Sequence, residues 1–341
     1  MHLKTVVLAS AIITVTTGIE THGGYQYEAR FSPEATPEAK NIKDPYETTA
    51  ATIANARLRE QVEATGIARQ CLAESADAEP AGLYALKDCI AADNKRNFFT
   101  LLAEDIEESK AFWTQVIQES TTDRTKWVPA RAVSDYPHLF LQYPYTKCYF
   151  NGNLTATQFA AWTLSQNADE ANLNANPEHY YKETVLDSTG AQRSEIFEGW
   201  GGVLSTFGMK RTNFTVPAFA PPEYGTVDTP EAWDIGPSFP LPLQRVGAKV
   251  LTSEDGQTFG ALHIAVRDFT ASEGSTGESG IEIYSAVWYP PWDQASEADQ
   301  AEFVNNYLAD EAHHMVVEVI NLTQKAHEDC KSGLCVIPSS I

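Results

Sequence analysis

Two segments near the C-terminal end alternate with a period of two, and the segment that follows repeats with the period of a helix. This change of period constrains the fold more than any other feature of the chain. In 258–269, Phe259, Ala261, His263, Ala265 and Arg267 share one face of a strand, and Leu262, Ile264 and Val266 the other. In 280–289, Glu282, Tyr284, Ala286 and Trp288 oppose Ile281, Ile283, Val287 and Tyr289. From 300 to 327 the pattern is helical. With Asn321 at the centre of one face, Ala312, Met315, Val316, Val319, Thr323 and Ala326 fall on the far side, and His314, Glu318 and Lys325 beside Asn321. A sheet and a helix that must each bury one face predict an α+β domain, a curved antiparallel sheet wrapped by helices around a pocket.

The rest of the chain extends this reading. Residues 97–118 predict an amphipathic helix, the best of several in 51–120. Segment 138–150 reads as a strand, and Thr155-Ala156-Thr157-Gln158 spells a capping box. Segments 179–186 and 192–200 form a hairpin, and Gly199, Gly201 and Gly202 around Trp200 mark a bulge or tight bend at its rim. Seven prolines in 217–242 predict a long, stiff loop. The expected organisation is a signal peptide over 1–18, a poorly ordered segment 19–50, a helical region 51–125, an α+β pocket domain 126–330 and a tail 331–341. Two architectures enclose such a pocket. The N-terminal helices favour the NTF2/ketosteroid-isomerase-like cone. The final helix favours the START-like helix-grip fold, in which a C-terminal helix closes the sheet.

Lys4 followed by the short apolar run 6–15 and small residues up to Gly18 reads as a secretory signal. The sequons at Asn153, Asn213 and Asn321 then predict glycosylation. Five cysteines fit an oxidising compartment; spacing does not fix their pairing, although Cys71 with Cys89 and Cys330 with Cys335 are placed to close short loops, leaving Cys148 odd. No Cys/His spacing suggests a metal. A net charge of −22 argues against nucleic acid and anionic membranes as partners, and no segment predicts stable membrane insertion. The oligomeric state is left open.

The mixed face of 258–269, with small alanines between aromatic and ionisable residues, reads as a cavity wall. His263 there moves a proton near neutrality, and Arg267 offers a fixed cation to a carboxylate or enolate. On the neighbouring strand Glu282 is the candidate base and Tyr284 the oxyanion donor. Trp200, Trp288, His179 and Tyr181 are the candidate substrate-binding residues. A structural His–Arg pair bonded to Asp268 or Glu282 is the competing reading. Asp310, His314 and Glu318 lie four apart on one helical face, as metal ligands do, but a solvated polar stripe is the reading preferred, because that face also carries Asn321. No GxSxG elbow, phosphate loop or GxGxxG turn is found.

His138-Leu139-Phe140-Leu141, Glu198-Gly199-Trp200-Gly201-Gly202 and Ile283-Tyr284-Ser285-Ala286-Val287-Trp288-Tyr289 carry a resemblance over roughly 95–330 to secreted fungal secondary-metabolite cyclases, the ketosteroid-isomerase-like dimerising cyclases of maleidride (nonadride) pathways. The resemblance implies a cofactor-independent, C–C bond-forming lyase or isomerase acting on a polyketide-derived acidic or anhydride substrate; it assigns no catalytic residue. The alternatives are a secreted carrier of small apolar ligands and a structural or effector protein. Ionisable groups converging on one point of the cavity distinguish the enzyme from the carrier. A cavity below about 300 Å³ would favour the structural protein.

Overall fold

The computed structural model describes residues 20–22, 25–32, 43–73, 79–123, 126–130, 143–212 apart from 151, 153, 164, 187 and 189–191, and 245–335 apart from 254 and 275. The proposed signal, Asn153, Asn213, the proline-rich segment and all of 138–142 lie outside the described residues.

Strands β1 (Glu20–His22) and β2 (Tyr25–Ser32) precede helices α1 (Lys43–Thr65), α2 (Pro80–Asn94), α3 (Asn97–Leu101) and α4 (Ala103–Gln118). The short β3 (Val128–Pro129) follows. Then come β4 (Tyr143–Tyr149), α5 (Ala156–Trp162), α6 (Asn167–Leu173), and strands β5 (His179–Leu186), β6 (Gln192–Trp200), β7 (Val203–Thr212), β8 (Arg245–Thr252), β9 (Thr258–Phe269) and β10 (Gly280–Tyr289). Helix α7 (Glu297–Glu302) passes through one π turn, Phe303–Tyr307, into α8 (Leu308–Lys331).

All pairings are antiparallel, in the order β1-β2-β4-β10-β9-β8-β7-β6-β5, with β3 beside the end of β10. From β4 onward the chain runs strand, two short helices, six consecutive strands and a long helix. Helix α8 lies across the concave face, where Ala312, Val316, Val319 and Ile320 pack on Val266, Ile281 and Ile283. This α+β arrangement matches the helix-grip alternative: the final helix closes the curved sheet. Thr155 caps α5 as its sequence spells, accepting from the Gln158 amide while the Gln158 side chain accepts from Thr155.

Three local departures have physical causes. Residues 20–22 and 25–32, expected to be poorly ordered, pair as antiparallel edge strands, because the alternation of Tyr25, Tyr27 and Ala29 lets β2 bury Tyr27 and Ala29 beside β4. The helix expected over 97–118 breaks at Leu102, whose φ of −112° and ψ of 26° leave the helical region. The N-terminal helices form their own core, Leu58, Leu86, Ile90, Phe98 and Leu102, and dock it on Tyr180, Phe197 and Leu204. A disulfide between Cys71 and Cys89 ties this layer, one between Cys330 and Cys335 closes the end of α8, and Cys148 is a buried free thiol. Two disulfides fit an oxidising environment. Among the described residues no helix is long and apolar enough to cross a membrane.

Candidate functional site

The cavity lies between α8 and the concave face of the sheet. Its apolar wall includes Trp200, Phe207, Leu262, Ile264, Ile283 and Met315. The wall therefore uses the aliphatic face of β9, and the mixed face lies on the other side of the sheet. Arg267 and Glu282 do not converge on the cavity. They pair with each other, Arg267 also reaches Glu273 at 2.9 Å, and Lys147 reaches Glu282 at 2.8 Å. Backbone register places positions 263 and 284 on that same opposite face. The reading of Arg267 and Glu282 as part of a cavity constellation is thus corrected: α8 packs on the aliphatic side and leaves the hollow there, and these two form a buried ion-pair cluster across the sheet, while the side chains of His263 and Tyr284 lie outside the described residues. Trp288 shares their face and is also buried.

Trp200 does enter the cavity wall. Its position follows from three glycines. Trp200 pairs with Val203 across a two-residue turn in which Gly201 and Gly202 take φ of 59° and 83°. Both positive values suit the tight hairpin turn and are costly for other residues. A Cβ on Gly201 would lie 3.1 Å from the backbone of Tyr307, and one on Gly199 would strike Leu204. The indole is thereby held against Tyr307 and His314, with ring centroids at 5.7 and 5.6 Å.

His179 and Tyr181, expected on one face, are separated by a register shift between them. Tyr181 turns to the helical layer, stacks edge-on to Phe99 and donates to Glu183 at 2.6 Å. His179 turns inward. Its Nδ1 bonds the Asn172 carbonyl at 2.8 Å, and its Nε2 lies 2.9 Å from Nε2 of His314 and 3.1 Å from Oε2 of Glu198. These three residues each offer a metal-ligating atom, all within 4.8 Å of one another. Burial holds both imidazoles well below their ordinary pKa, His179 at about 4 and His314 at about 3, so both are neutral at pH 7.

Glu311 adds a second carboxyl to this end of the cavity. It is buried; its Oε1 accepts from the Tyr289 hydroxyl at 3.1 Å, and its Oε2 has no hydrogen-bond partner among the described residues. Burial first, then the neighbouring Glu198 charge, pushes its pKa well above the carboxylate range, which keeps it protonated. Lys182 and Glu318 complete the polar lining, and Asn172 Nδ2 donates to Glu318 at 3.3 Å.

Sequence reasoning missed Glu198, Glu311, Tyr289 and the inward position of His314. The polar stripe of α8 is not solvated: His314 is 1 % exposed. Asn321, expected to hold a glycan outward, is half-buried, and its amide donates to Glu47 and to the Ala175 carbonyl. Helices α1 and α6 cover that flank as far as Asn321, and Lys325 one turn further on is exposed. The only local signal was the spacing of Glu311, His314 and Glu318, which repeats every helical turn.

The cavity measures about 70 Å³. That is room for about five water-sized groups, and less than the roughly 300 Å³ of an ordinary small-molecule site.

No protein-family model matches the chain, and no curated protein matches it. Two similar solved structures are those of Ara h 8.0201 and of the Zhui aromatase/cyclase from Streptomyces sp. R1128. The first is 12 % identical over 51 % of this chain and 93 % of its own, with a TM-score of 0.25. The second is 15 % identical over 52 % of this chain and 88 % of its own, with a TM-score of 0.27. The fold assignment stands on the strand order and on the gripping helix.

Proposed function

We propose that the chain is a small-molecule enzyme of the proton-transfer type, a cyclase or isomerase, whose substrate presents a carbonyl or acid head group to the polar end of the cavity. The observation that carries this is the meeting of Glu198, Glu311 and His314 in the wall of one cavity, with His179 packed directly against Glu198 and His314. A carrier has no use for such a cluster, since each buried ionisable group costs desolvation. Glu311, protonated and with one oxygen held by Tyr289, donates its proton to the oxygen of a developing enolate. Glu318 is the carboxylate that takes a proton from the adjacent carbon. The apolar wall excludes water from the enolate and orients it. A polyketide-derived acid or anhydride, the class implied by the sequence resemblance, has such a head group. Two disulfides support its placement in the secretory pathway.

The cavity volume favours one competing reading, a protein whose core is filled by its own side chains. Exchange of α-protons decides between them. The protein is incubated in deuterium oxide with a panel of small keto acids and cyclic anhydrides, and the α-carbon is followed by NMR. Exchange catalysed by the wild type and lost in Glu311→Gln supports the proposal. Binding without exchange means a carrier; neither binding nor exchange means a structural protein.

A further inference from the structure

We infer that His179, Glu198 and His314 form a binding site for a single divalent transition-metal ion, zinc by preference, with its open coordination position facing the cavity. The argument begins with one proton. The Asn172 carbonyl only accepts hydrogen bonds, so His179 Nδ1, 2.8 Å away, must be the donor. A neutral imidazole carries one N–H, so His179 Nε2 is bare. That bare nitrogen faces a second histidine nitrogen at 2.9 Å and a carboxylate oxygen at 3.1 Å. His314 and Glu198 each offer a ligating atom beside it, and the three atoms lie within 4.8 Å of one another. A cation at the centre satisfies all three.

The geometry suits a tetrahedral ion. Bonds of about 2.0–2.2 Å at tetrahedral angles separate ligand atoms by about 3.3 Å. Two of the three separations, 2.9 and 3.1 Å, fall a few tenths short of that and the third is within 4.8 Å, so side-chain adjustment brings all three to bonding distance. Two imidazoles and one carboxylate are a donor set that zinc takes at open sites, where the fourth position holds water or substrate. The bond from His179 Nδ1 to a backbone carbonyl is the support that orients metal-bound histidines. The three residues come from β5, β6 and α8, so the folded sheet and its helix hold them together without a loop. The ion would polarise the carbonyl whose enolate Glu311 protonates. The assignment thus deepens the reading of this cavity as an active site.

The test uses the full chain, stripped with a chelator and titrated with cobalt(II) and then zinc(II) alone. The expected result is one equivalent bound with the intense visible absorption of tetrahedral cobalt, bleached by zinc. His179→Asn and His314→Asn should weaken binding beyond the roughly 10–100-fold lost with even an outer-shell partner, and Glu198→Gln should weaken it as well. His313→Asn, on the same helix, should bind as the wild type does. Because the variants risk misfolding, X-ray absorption of the zinc-loaded wild type gives an independent readout: two imidazoles and one carboxylate oxygen are expected. No stoichiometric binding, a different ligand set, or unchanged binding in folded His179→Asn and His314→Asn overturns the site. Metal binding with no α-proton exchange would leave the site standing and remove the proposed reaction.

Discussion

The Nε2 atoms of His179 and His314 lie 2.9 Å apart although 135 residues separate the two in sequence. The first opens strand β5 and the second lies in the first half of α8, so their contact reports how the final helix seats on the sheet. Both rings are buried and neutral, which makes the seat sensitive to acid.

Thermal stability of the metal-free protein should fall between pH 6.5 and pH 4. An unfolded histidine takes a proton near 6.5, whereas the folded rings resist until about 4 and 3. In that window the unfolded chain binds more protons. The stability from neutral His179 and His314 is complete above pH 6.5 and is lost as the pH falls. Unfolding free energies at the two pH values should differ by roughly 5 kcal/mol, about half from each histidine. A His179→Asn/His314→Asn double variant should show a flatter profile; an unchanged slope would place the acid sensitivity elsewhere.

Glu311 should act in the opposite sense. Its folded pKa is raised above the ordinary carboxylate value of 4.5, so the native state binds the extra proton and its contribution falls as the pH rises. Gln matches the neutral acid in shape and keeps an acceptor for Tyr289. Glu311→Gln should therefore gain stability over the wild type as the pH rises from 5 to 8. Urea titrations at both pH values measure this. Stabilisation together with loss of α-proton exchange is the pattern of a group retained for chemistry. The absence of that gain would contradict the protonated assignment.

Much of this architecture is legible locally. Strands 179–186, 192–200, 258–269 and 280–289 and the apolar stripe of α8 follow from periodicity, since each depends on a dozen neighbouring residues. Which face points inward does not. In β8–β9, Leu251 pairs with Gly260 but Thr252 with Thr258, and the extra residue turns Phe259 to the inner side, against Trp113. The shift at His179/Tyr181 does the same at the site. A polar helical face reads as solvated until other helices are known to cover it, and α1 and α6 do so across long sequence separations. Trp200 was recoverable because its glycines announce a tight turn; Glu198 and His314 were not, because each gains its meaning only from the other.

The turn beside Trp200 should be intolerant of a methyl group. Gly201 has a φ of 59°, and an added Cβ would press on the Tyr307 backbone at 3.1 Å. Left-handed backbone alone costs roughly 1–2 kcal/mol for a non-glycine residue. Gly201→Ala should lose at least that much stability and alter the near-ultraviolet circular dichroism of the Trp200–Tyr307 cluster. Gly202 has a similar φ and open space around it, so Gly202→Ala should cost less. Equal losses would mean that the contact with Tyr307 contributes nothing.

Lys87 should prove the chief support of the site from outside it. Its buried ammonium donates to the carbonyls of Leu173, Asn176, Pro177 and His179, the last three at 2.8, 3.2 and 3.0 Å. Those four carbonyls span the turn from α6 to β5. Lys87 thus fixes where β5 begins, and with it the Asn172–His179 geometry. Methionine fills the same volume but donates nothing, so Lys87→Met takes a donor from four carbonyls, of which that of Asn176 keeps the His179 amide, and should cost about 3 kcal/mol or more. The loss should fall on the site as well as on overall stability: cobalt affinity should drop at temperatures where the variant is still folded. Chemical denaturation followed by cobalt titration separates the two effects. A variant as stable as the wild type, with unchanged cobalt affinity, would show that the turn holds its shape without the clamp.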